Sequence, residues 1–290
     1  MNYMKFRKNI LFVFGIMMFV AMGTINIFAN HPVFVEGNCL GDGSAARTAV
    51  PPGTCGDYDG DGRIGTAEDT DAPFDRVFGT INAALGPVGI NQNGTVTIVA
   101  SGIFPETVSL LGNVTLQAAP GVEANIDAIL QGDPGSTARQ GQPGIIVNSR
   151  SSFHTQVIRN ITSKNWTSGI RVMAESRVAI ENCRLENNVN YGIEILDNAR
   201  VTISDTKVRG TGFRINPMTG SFPFSSAPNP GIGIEFDDNS SGTVFSTSVS
   251  QSFRAGISDV STGSVCVALI NVFDNSPNLV GIVPSATSCN

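Results

Sequence analysis

Residues 169–195 read GIRVMAESRVAIENCRLENNVNYGIEI, and this stretch begins with a Gly-Ile dipeptide that recurs at 192–193. A glycine followed by Ile or Val recurs along the chain at intervals of 23, 25, 23, 41, 23 and 25 residues. The interval of 41 equals one period of 23 plus an insertion of 18 residues. Such regular spacing indicates a repeat architecture. The glycines of this series are Gly121, Gly144, Gly169, Gly192, Gly233, Gly256 and Gly281.

Apolar residues occupy fixed positions between these glycines. Positions one and three after the glycine share one face of a strand, because side chains alternate along a strand. Further apolar columns stand eleven and sixteen residues after the glycine, so that each period holds about three short strands. The columns are Ile145, Ile170, Ile193, Ile234, Ile257 and Ile282 at position one; Val147, Val172, Ile195 and Phe236 at position three; Ile180, Ile203, Val244 and Val267 at position eleven; and Leu185, Val208, Val249 and Val272 at position sixteen.

These columns predict an all-β fold, a parallel β-helix of about seven coils with a period of ~23 residues. Coils stack ~4.8 Å apart, so seven of them form a rod roughly 35 Å long. A leucine-rich repeat needs an LxxLxLxxN pattern that the chain lacks, and the repeats of a β-propeller are nearer ~40 residues long.

Outward positions of the same strands carry charge. Arg171 is predicted to lie beside Glu194 in the ladder, which is favourable. Glu194 beside Glu235 is unfavourable, unless the insertion separates them or a cation bridges them. Asparagines, including Asn182 and Asn187, are predicted to form the turns, because Asn tolerates left-handed backbone.

The composition limits the possible partners. Charged residues make up 14% of the chain and the net charge is −6, whereas a nucleic-acid backbone rewards Lys and Arg. We therefore expect no nucleic-acid partner. A strongly polyanionic ligand is also unfavourable, unless calcium bridges the charges.

The N-terminus has the pattern of an export signal. Lys5, Arg7 and Lys8 precede an almost wholly apolar run at 10–22, and small residues follow at Gly23 and Ala29. Residues 1–29 are therefore predicted to be a signal peptide, and the alternative is an uncleaved anchor. No later segment is apolar enough to span a membrane, so we expect a secreted, periplasmic or cell-surface protein without a stable membrane span after cleavage.

Five cysteines fit such an oxidising compartment. Cys39 and Cys55 flank a Gly/Pro-rich stretch and are candidates for one disulfide, and Cys266 with Cys289 for another. Cys183 then remains as a small buried residue. The pairing cannot be deduced from the sequence alone.

Residues 57–68 read DYDGDGRIGTAE and match a twelve-residue EF-hand-like calcium loop. Asp57, Asp59 and Asp61 would supply carboxylates, Arg63 its backbone carbonyl, and Glu68 two oxygens that close the coordination shell. Dockerins carry two such loops and this chain has one. The alternative is an Asp/Gly-rich turn without an ion. We expect a structural calcium ion that orders the N-terminal segment against the end of the rod.

Residues 94–126 read GTVTIVASGIFPETVSLLGNVTLQAAPGVEANI and follow a predicted amphipathic helix at 78–89. This combination resembles the first coils of pectin lyase-like right-handed β-helix proteins, in which a capping helix precedes a similar stretch. The resemblance covers residues 78–284 and implies a right-handed parallel β-helix with an N-terminal capping helix. It does not imply an activity, because binding, structural and catalytic members share these coils.

The catalytic signatures of the resembling enzymes are missing. The chain has no DFIFG-like or LGRPW-like stretch of pectin methylesterases, no GHG of polygalacturonases and no RxPxxR of pectate lyases. Asp237-Asp238 is interpreted as a solvated turn. A carboxylate pair made of Asp237 with Glu235 or Glu194 is the remaining candidate for a glycosidase site, but we assign no catalytic residue.

Two further features bear on binding. An insertion at 211–230 carries four prolines and three phenylalanines, and long loops on rigid scaffolds often bind ligands. Its phenylalanines either stack on sugars or fold back over the rod. Trp166, in a predicted turn, is either a sugar platform or a turn anchor.

The predicted organisation has three parts. A signal peptide occupies 1–29, a loop-rich segment with the calcium loop occupies 30–77, and the β-helix with its insertion at 211–230 occupies 78–290. We expect a non-enzymatic scaffold that binds a polysaccharide or a cell-surface glycan, or acts in adhesion. The alternatives are a polysaccharide lyase or hydrolase and a purely structural module.

We predict that calcium raises the thermal unfolding midpoint of the mature protein, because an ion that binds only the folded loop stabilises the folded state. Calorimetry with calcium and then with excess chelator measures the effect. A midpoint unchanged by either addition would argue for a turn without an ion.

Overall fold

The protein is described by a computed structural model over residues 33–36, 77–87, 89–128, 142–149, 153–212, 230–275 and 277–283. Strands dominate these ranges, within which the one α-helix is α1 (Ile81–Leu85). The strands are β1 (Val33–Val35), β2 (Val77–Phe78), β3 (Asn93–Ile98), β4 (Gly102–Phe104), β5 (Val108–Leu110), β6 (Asn113–Ala118), β7 (Ala124–Asp127), β8 (Ile145–Val147), β9 (Thr155–Arg159), β10 (Ile161–Lys164), β11 (Ser168–Val172), β12 (Arg177–Glu181), β13 (Arg184–Glu186), β14 (Tyr191–Ile195), β15 (Arg200–Ser204), β16 (Lys207–Arg209), β17 (Ile232–Phe236), β18 (Ser241–Phe245), β19 (Ser248–Ser250), β20 (Ala255–Asp259), β21 (Val265–Ala268), β22 (Asn271–Phe273) and β23 (Leu279–Val280).

The strands form three parallel sheets. Sheet 1 has the order β2-β1-β3-β6-β9-β12-β15-β18-β21, sheet 2 the order β4-β7-β10-β13-β16-β19-β22, and sheet 3 the order β5-β8-β11-β14-β17-β20-β23. Every third strand along the chain returns to the same sheet, so three strands close one coil. From β3 to β23 the chain completes seven coils, and the predicted all-β parallel β-helix is confirmed.

The N-terminal end of the rod is covered by α1 and by the two extra strands of sheet 1. Helix α1 packs against β1, β2, β3 and β5. The Glu106 carboxylate accepts hydrogen bonds from the backbone amides of Ile81 at 2.8 Å and Asn82 at 3.0 Å. A carboxylate at this position satisfies amides that have no partner within the helix.

The capping helix is shorter than the helix predicted at 78–89. Phe78 belongs to β2, and the helix begins after Thr80, whose side chain accepts from the amide of Ala83. It ends before Gly86, whose backbone is extended. Pro87 follows, and a residue that precedes proline avoids the helical conformation.

Single residues with left-handed backbone turn the chain at most described corners from β9 onward. This explains the Asn and Asp residues at the turns, which adopt this conformation more readily than other residues with side chains. Asn182 also donates from Nδ2 to Oδ1 of Asn160 one coil away, at 2.8 Å. The corner residues are Asn160, Asn182, Asp205, Ser246 and Leu269 between sheets 1 and 2; Asn165, Asn187, Gly210, Gln251 and Asp274 between sheets 2 and 3; and Ala174, Asp197 and Asp238 between sheets 3 and 1.

The core fills the inside of the coils with the predicted apolar columns. Ile145, Ile170, Ile193, Ile234 and Ile257 lie in register along sheet 3 and are buried. The columns at positions eleven and sixteen are likewise in register in sheets 1 and 2. Burial of stacked apolar side chains is therefore the main favourable contribution in every coil.

The glycines of the repeat are required by close contact between coils. A Cβ atom added to Gly169 would lie 2.7 Å from the carbonyl oxygen of Gly192, and one added to Gly192 would lie 2.5 Å from that of Gly233. Gly233 has the same relation to Gly256, at 2.5 Å. The residues on either side of each of these glycines are paired with the next strand, but the glycines themselves are not. The regular pairing of sheet 3 is therefore interrupted at each glycine.

Two glycines of the predicted series occupy other positions. Gly121 lies in the turn before β7, with φ of +81°, and Gly281 follows β23, with φ of +71°. Asn278 takes the place expected for Gly281, because its carbonyl oxygen faces Gly256. Gly121 and Gly281 are therefore explained by their positive φ, whereas the glycines between them are explained by the lack of space for a Cβ atom.

We predict that Gly192→Ala destabilises the protein by roughly 1–3 kcal/mol, because the methyl group would force adjacent coils apart. Gly102→Ala is the matched control, since its Cβ would meet only Phe104, at 4.0 Å. Urea unfolding of both variants measures the difference. Equal stability of the two variants would contradict the packing argument.

Candidate functional site

The predicted calcium ligands Asp57, Asp59, Asp61, Arg63 and Glu68 lie outside the described residues, and calcium binding stays a prediction. Within the described ranges, no three His, Cys, Asp or Glu side chains are grouped so that they could hold a metal ion. The predicted signal peptide at 1–29 also lies outside these ranges.

Of the five cysteines, Cys183 and Cys266 lie within the described residues. Cys183 is free and fully buried, and burial raises the pKa of its thiol to about 12. A thiol of this kind is unreactive, which fits the expected small buried residue. The pairs Cys39–Cys55 and Cys266–Cys289 each include residues outside the described ranges and stay predictions.

Sheet 3 carries a buried carboxylate, Glu194, on its outer side. Glu194 is 7% exposed, and its Oε2 accepts hydrogen bonds from Arg171 Nε and from Ser168 Oγ, both at 2.7 Å. The predicted favourable pair of Arg171 and Glu194 is present in register. One cation and one hydroxyl therefore compensate the desolvated charge of Glu194.

Glu235 lies next to Glu194 in the ladder, and its side chain forms a hydrogen bond with Tyr191, but no ion pair with a described residue compensates its charge. The insertion between β16 and β17 leaves the two carboxylates in register, so it does not separate them. Burial of Glu235 raises the pKa of its carboxyl group, the charges of Asp237 and Glu194 raise this pKa further, and a side-chain contact with Tyr191 opposes the rise. Burial also raises the pKa of the Tyr191 hydroxyl, followed by the charge of Glu235.

The Asp237-Asp238 pair forms a corner, as the sequence predicts. Asp238 is exposed with φ of +54°, and its amide donates to Oδ1 of Asp237 at 2.7 Å. Oδ2 of Asp238 accepts from the amide of Asp197 at 3.2 Å, and Oδ2 of Asp197 accepts from the amide of Ala174 at 2.8 Å. These corner carboxylates therefore link one coil to the next.

Sheet 2 bears an open groove of about 530 Å³. Its floor includes Asn125, Thr162, Arg184 and Lys207, which follow one another in register over four coils. The loop at 119–123 borders it on the N-terminal side of β7. Corner residues complete the polar lining, namely Asn160, Asn182 and Asp205.

The charges in the groove are mixed. Arg184 and Lys207 are exposed neighbours in the ladder, and Arg184 Nη2 lies 3.0 Å from Oε1 of Glu186. Asp205 and Glu123 add negative charge to the lining. The groove therefore presents several hydrogen-bond donors and acceptors without a strong excess of either sign.

This groove was not predicted from the sequence. The signal was available, because Arg184 and Lys207 stand one position before the inward Leu185 and Val208 and must point outward. The sequence allows two roles for Trp166, a sugar platform or a turn anchor. Trp166 is fully buried, and its Nε1 donates to the carbonyl oxygen of Ile126 at 2.9 Å. Trp166 therefore anchors a turn and is not a sugar platform.

Three parallel sheets closed into seven coils define a parallel β-helix protein. The sequence model of the family described as right handed beta helix region matches residues 113–273, more than half of the chain, and the chain belongs to this family. No curated protein and no solved structure matches the sequence significantly. Among the described residues, no helix has the length and hydropathy needed to cross a membrane.

We predict that Glu235 makes the free energy of unfolding fall as the pH rises from about 4.5 through the raised pKa of its carboxyl group. The folded chain binds this proton more tightly than the unfolded chain does, so ionisation destabilises the fold. Glu235→Gln should remove that part of the pH dependence, and Glu123→Gln, in the exposed turn before β7, should not. Urea unfolding across this pH range would contradict the assignment if both variants behaved alike.

Proposed function

We propose that this chain is an exported right-handed β-helix protein that binds a neutral or weakly charged polysaccharide along the groove of sheet 2, in carbohydrate binding or surface adhesion. The observation that carries the proposal is the in-register row of Asn125, Thr162, Arg184 and Lys207 at the base of the groove.

A ligand built of repeating units can contact the equivalent side chains that line the groove on successive coils. Neighbouring coils place equivalent side chains ~4.8 Å apart, a distance comparable to the length of one sugar unit in a linear polysaccharide. Arg184 and Lys207 offer donors and Asp205 offers an acceptor, and sugar hydroxyls serve as both. The overall charge of −6 disfavours a polyanionic chain.

Export and calcium belong to the same proposal. A secreted, periplasmic or cell-surface location would bring the groove into contact with polysaccharides. Calcium held by Asp57, Asp59, Asp61, Arg63 and Glu68 would order the segment that precedes the rod, and extracellular modules bind calcium with dissociation constants of about 10⁻⁴–10⁻³ M.

A polysaccharide lyase or hydrolase is the second candidate, and the raised pKa of Glu235 beside Glu194 is the observation that favours it. A glycosidase uses one protonated carboxyl group as general acid and a second, ionised carboxylate. Arg171 and Ser168 support the charge of Glu194, so the two carboxyl groups have different surroundings.

We predict that the double variant Arg184→Ala/Lys207→Ala loses affinity for a bound polysaccharide by about tenfold or more, because hydrogen bonds to charged groups contribute roughly 1.5–3 kcal/mol each. Titration calorimetry against a panel of plant, algal and bacterial polysaccharides identifies the ligand and measures the loss.

The matched control is Arg177→Ala/Arg200→Ala, which removes two exposed basic neighbours from sheet 1. This control should bind like the unmodified chain, and equal losses in both double variants would contradict binding in the groove. Reducing ends and unsaturated uronates are followed in the same mixtures. Products that disappear with Glu235→Gln would favour the enzyme, whereas a binding protein keeps its affinity in this variant.

A further inference from the structure

A short row of asparagine side chains runs along the groove at the corner between sheets 1 and 2. Asn160 donates from Nδ2 to the carbonyl oxygen of Ala118 at 3.1 Å, and Asn182 donates from Nδ2 to Oδ1 of Asn160 at 2.8 Å. The carbonyl oxygen of Ala118 only accepts hydrogen bonds, so it fixes the direction of both amides. Each asparagine therefore donates toward the N-terminal end of the rod and presents Oδ1 to the following coil.

Asp205 interrupts this row at the next coil. It is the equivalent of Asn182, because Glu181 and Ser204, which directly precede the two residues, pair with each other. An asparagine at this corner could donate to Oδ1 of Asn182, whereas an ionised carboxylate only accepts. The corner itself does not require the carboxylate, since both Asn and Asp adopt left-handed backbone, with φ of +49° at Asn182 and +51° at Asp205.

Two acceptors consequently lie on neighbouring coils of the groove without protein donors. No described residue donates a hydrogen bond to the Asp205 carboxylate or pairs with it, and none donates to Oδ1 of Asn182. Both side chains are exposed and line the groove. A position that departs from the local pattern of the fold without a compensating contact is where a functional role is expected.

The neighbouring charges decide which donors fit these acceptors. Arg184 follows Asn182 by two residues, Lys207 follows Asp205 by two, and both basic side chains are exposed in the groove. Two cations beside one carboxylate disfavour a metal ion. Hydroxyl groups fit better, because they donate to a carboxylate without adding charge and their oxygen atoms accept from Arg184 and Lys207.

We propose that Asp205 is the specificity-determining residue of the groove, and that its carboxylate and Oδ1 of Asn182 accept hydrogen bonds from free hydroxyl groups of the bound polysaccharide. This inference rests on the proposed function and narrows the ligand to chains whose sugar units are unsubstituted at this point. A methylated unit keeps its oxygen acceptors but has no proton to donate. It would leave both protein acceptors unpaired, which is a strong form of discrimination.

Asp205→Asn tests the proposal through stability and binding together. The new amide can donate to Oδ1 of Asn182 and continue the row, so the thermal unfolding midpoint should rise by about 2 °C, the shift expected for one net hydrogen bond. Affinity should fall about tenfold, because the charged acceptor is lost and the Asn182 oxygen becomes occupied. Scanning calorimetry measures the midpoint, and titration with cellohexaose, xylohexaose, mannohexaose and the polysaccharide panel measures the affinity.

Asp274→Asn is the matched control, since Asp274 is an exposed corner residue with φ of +55° that does not line the groove. It should bind like the unmodified chain and gain less stability. The fully O-methylated form of a bound oligosaccharide should bind the unmodified chain about tenfold more weakly than the free form does.

Three results would overturn the inference while the proposed function stands. They are an affinity unchanged in Asp205→Asn, a midpoint below that of the unmodified chain in the same variant, and equal affinity for the methylated and free oligosaccharides. If the unmodified chain bound none of the oligosaccharides or polysaccharides, the proposed function would fail, and this inference with it.

Discussion

The close approach of neighbouring coils at the glycine column is the constraint on which the rest of the rod depends. At Gly169, Gly192 and Gly233, a side chain would overlap the carbonyl oxygen of the next coil. At these three steps, the coils reach the spacing of a hydrogen-bonded parallel sheet because this position has no Cβ. With this spacing, the other strand residues of the interior coils lie beside their equivalents one coil away in all three sheets.

Stacking of like on like has opposite consequences inside and outside the coil. Inside, isoleucine on isoleucine buries apolar surface at each step. Outside, the same register places Glu194 beside Glu235, and the two carboxyl groups have different hydrogen-bond partners. Glu194 gains Arg171 and Ser168, whereas Glu235 has Tyr191 as its neighbour and a raised carboxyl pKa. The ladder thus gives two carboxyl groups at one repeated position different surroundings.

The sequence was sufficient to predict the coils, because inward residues and packed glycines have few alternatives. It misplaced Gly121 and Gly281, since glycine is selected both for close packing and for positive φ, and one-letter patterns do not separate these reasons. The groove escaped prediction because many polar residue types are tolerated on an outer face. Trp166 could be assigned only from coordinates, since its indole partner, the Ile126 carbonyl, is a backbone atom distant in sequence.

A stack of identical coils contains no internal reason to stop, because the edge of each coil is a template for the next. The N-terminal end is closed by a different element, in which Glu106 from the first coil caps α1 and so fixes the helix to the rod.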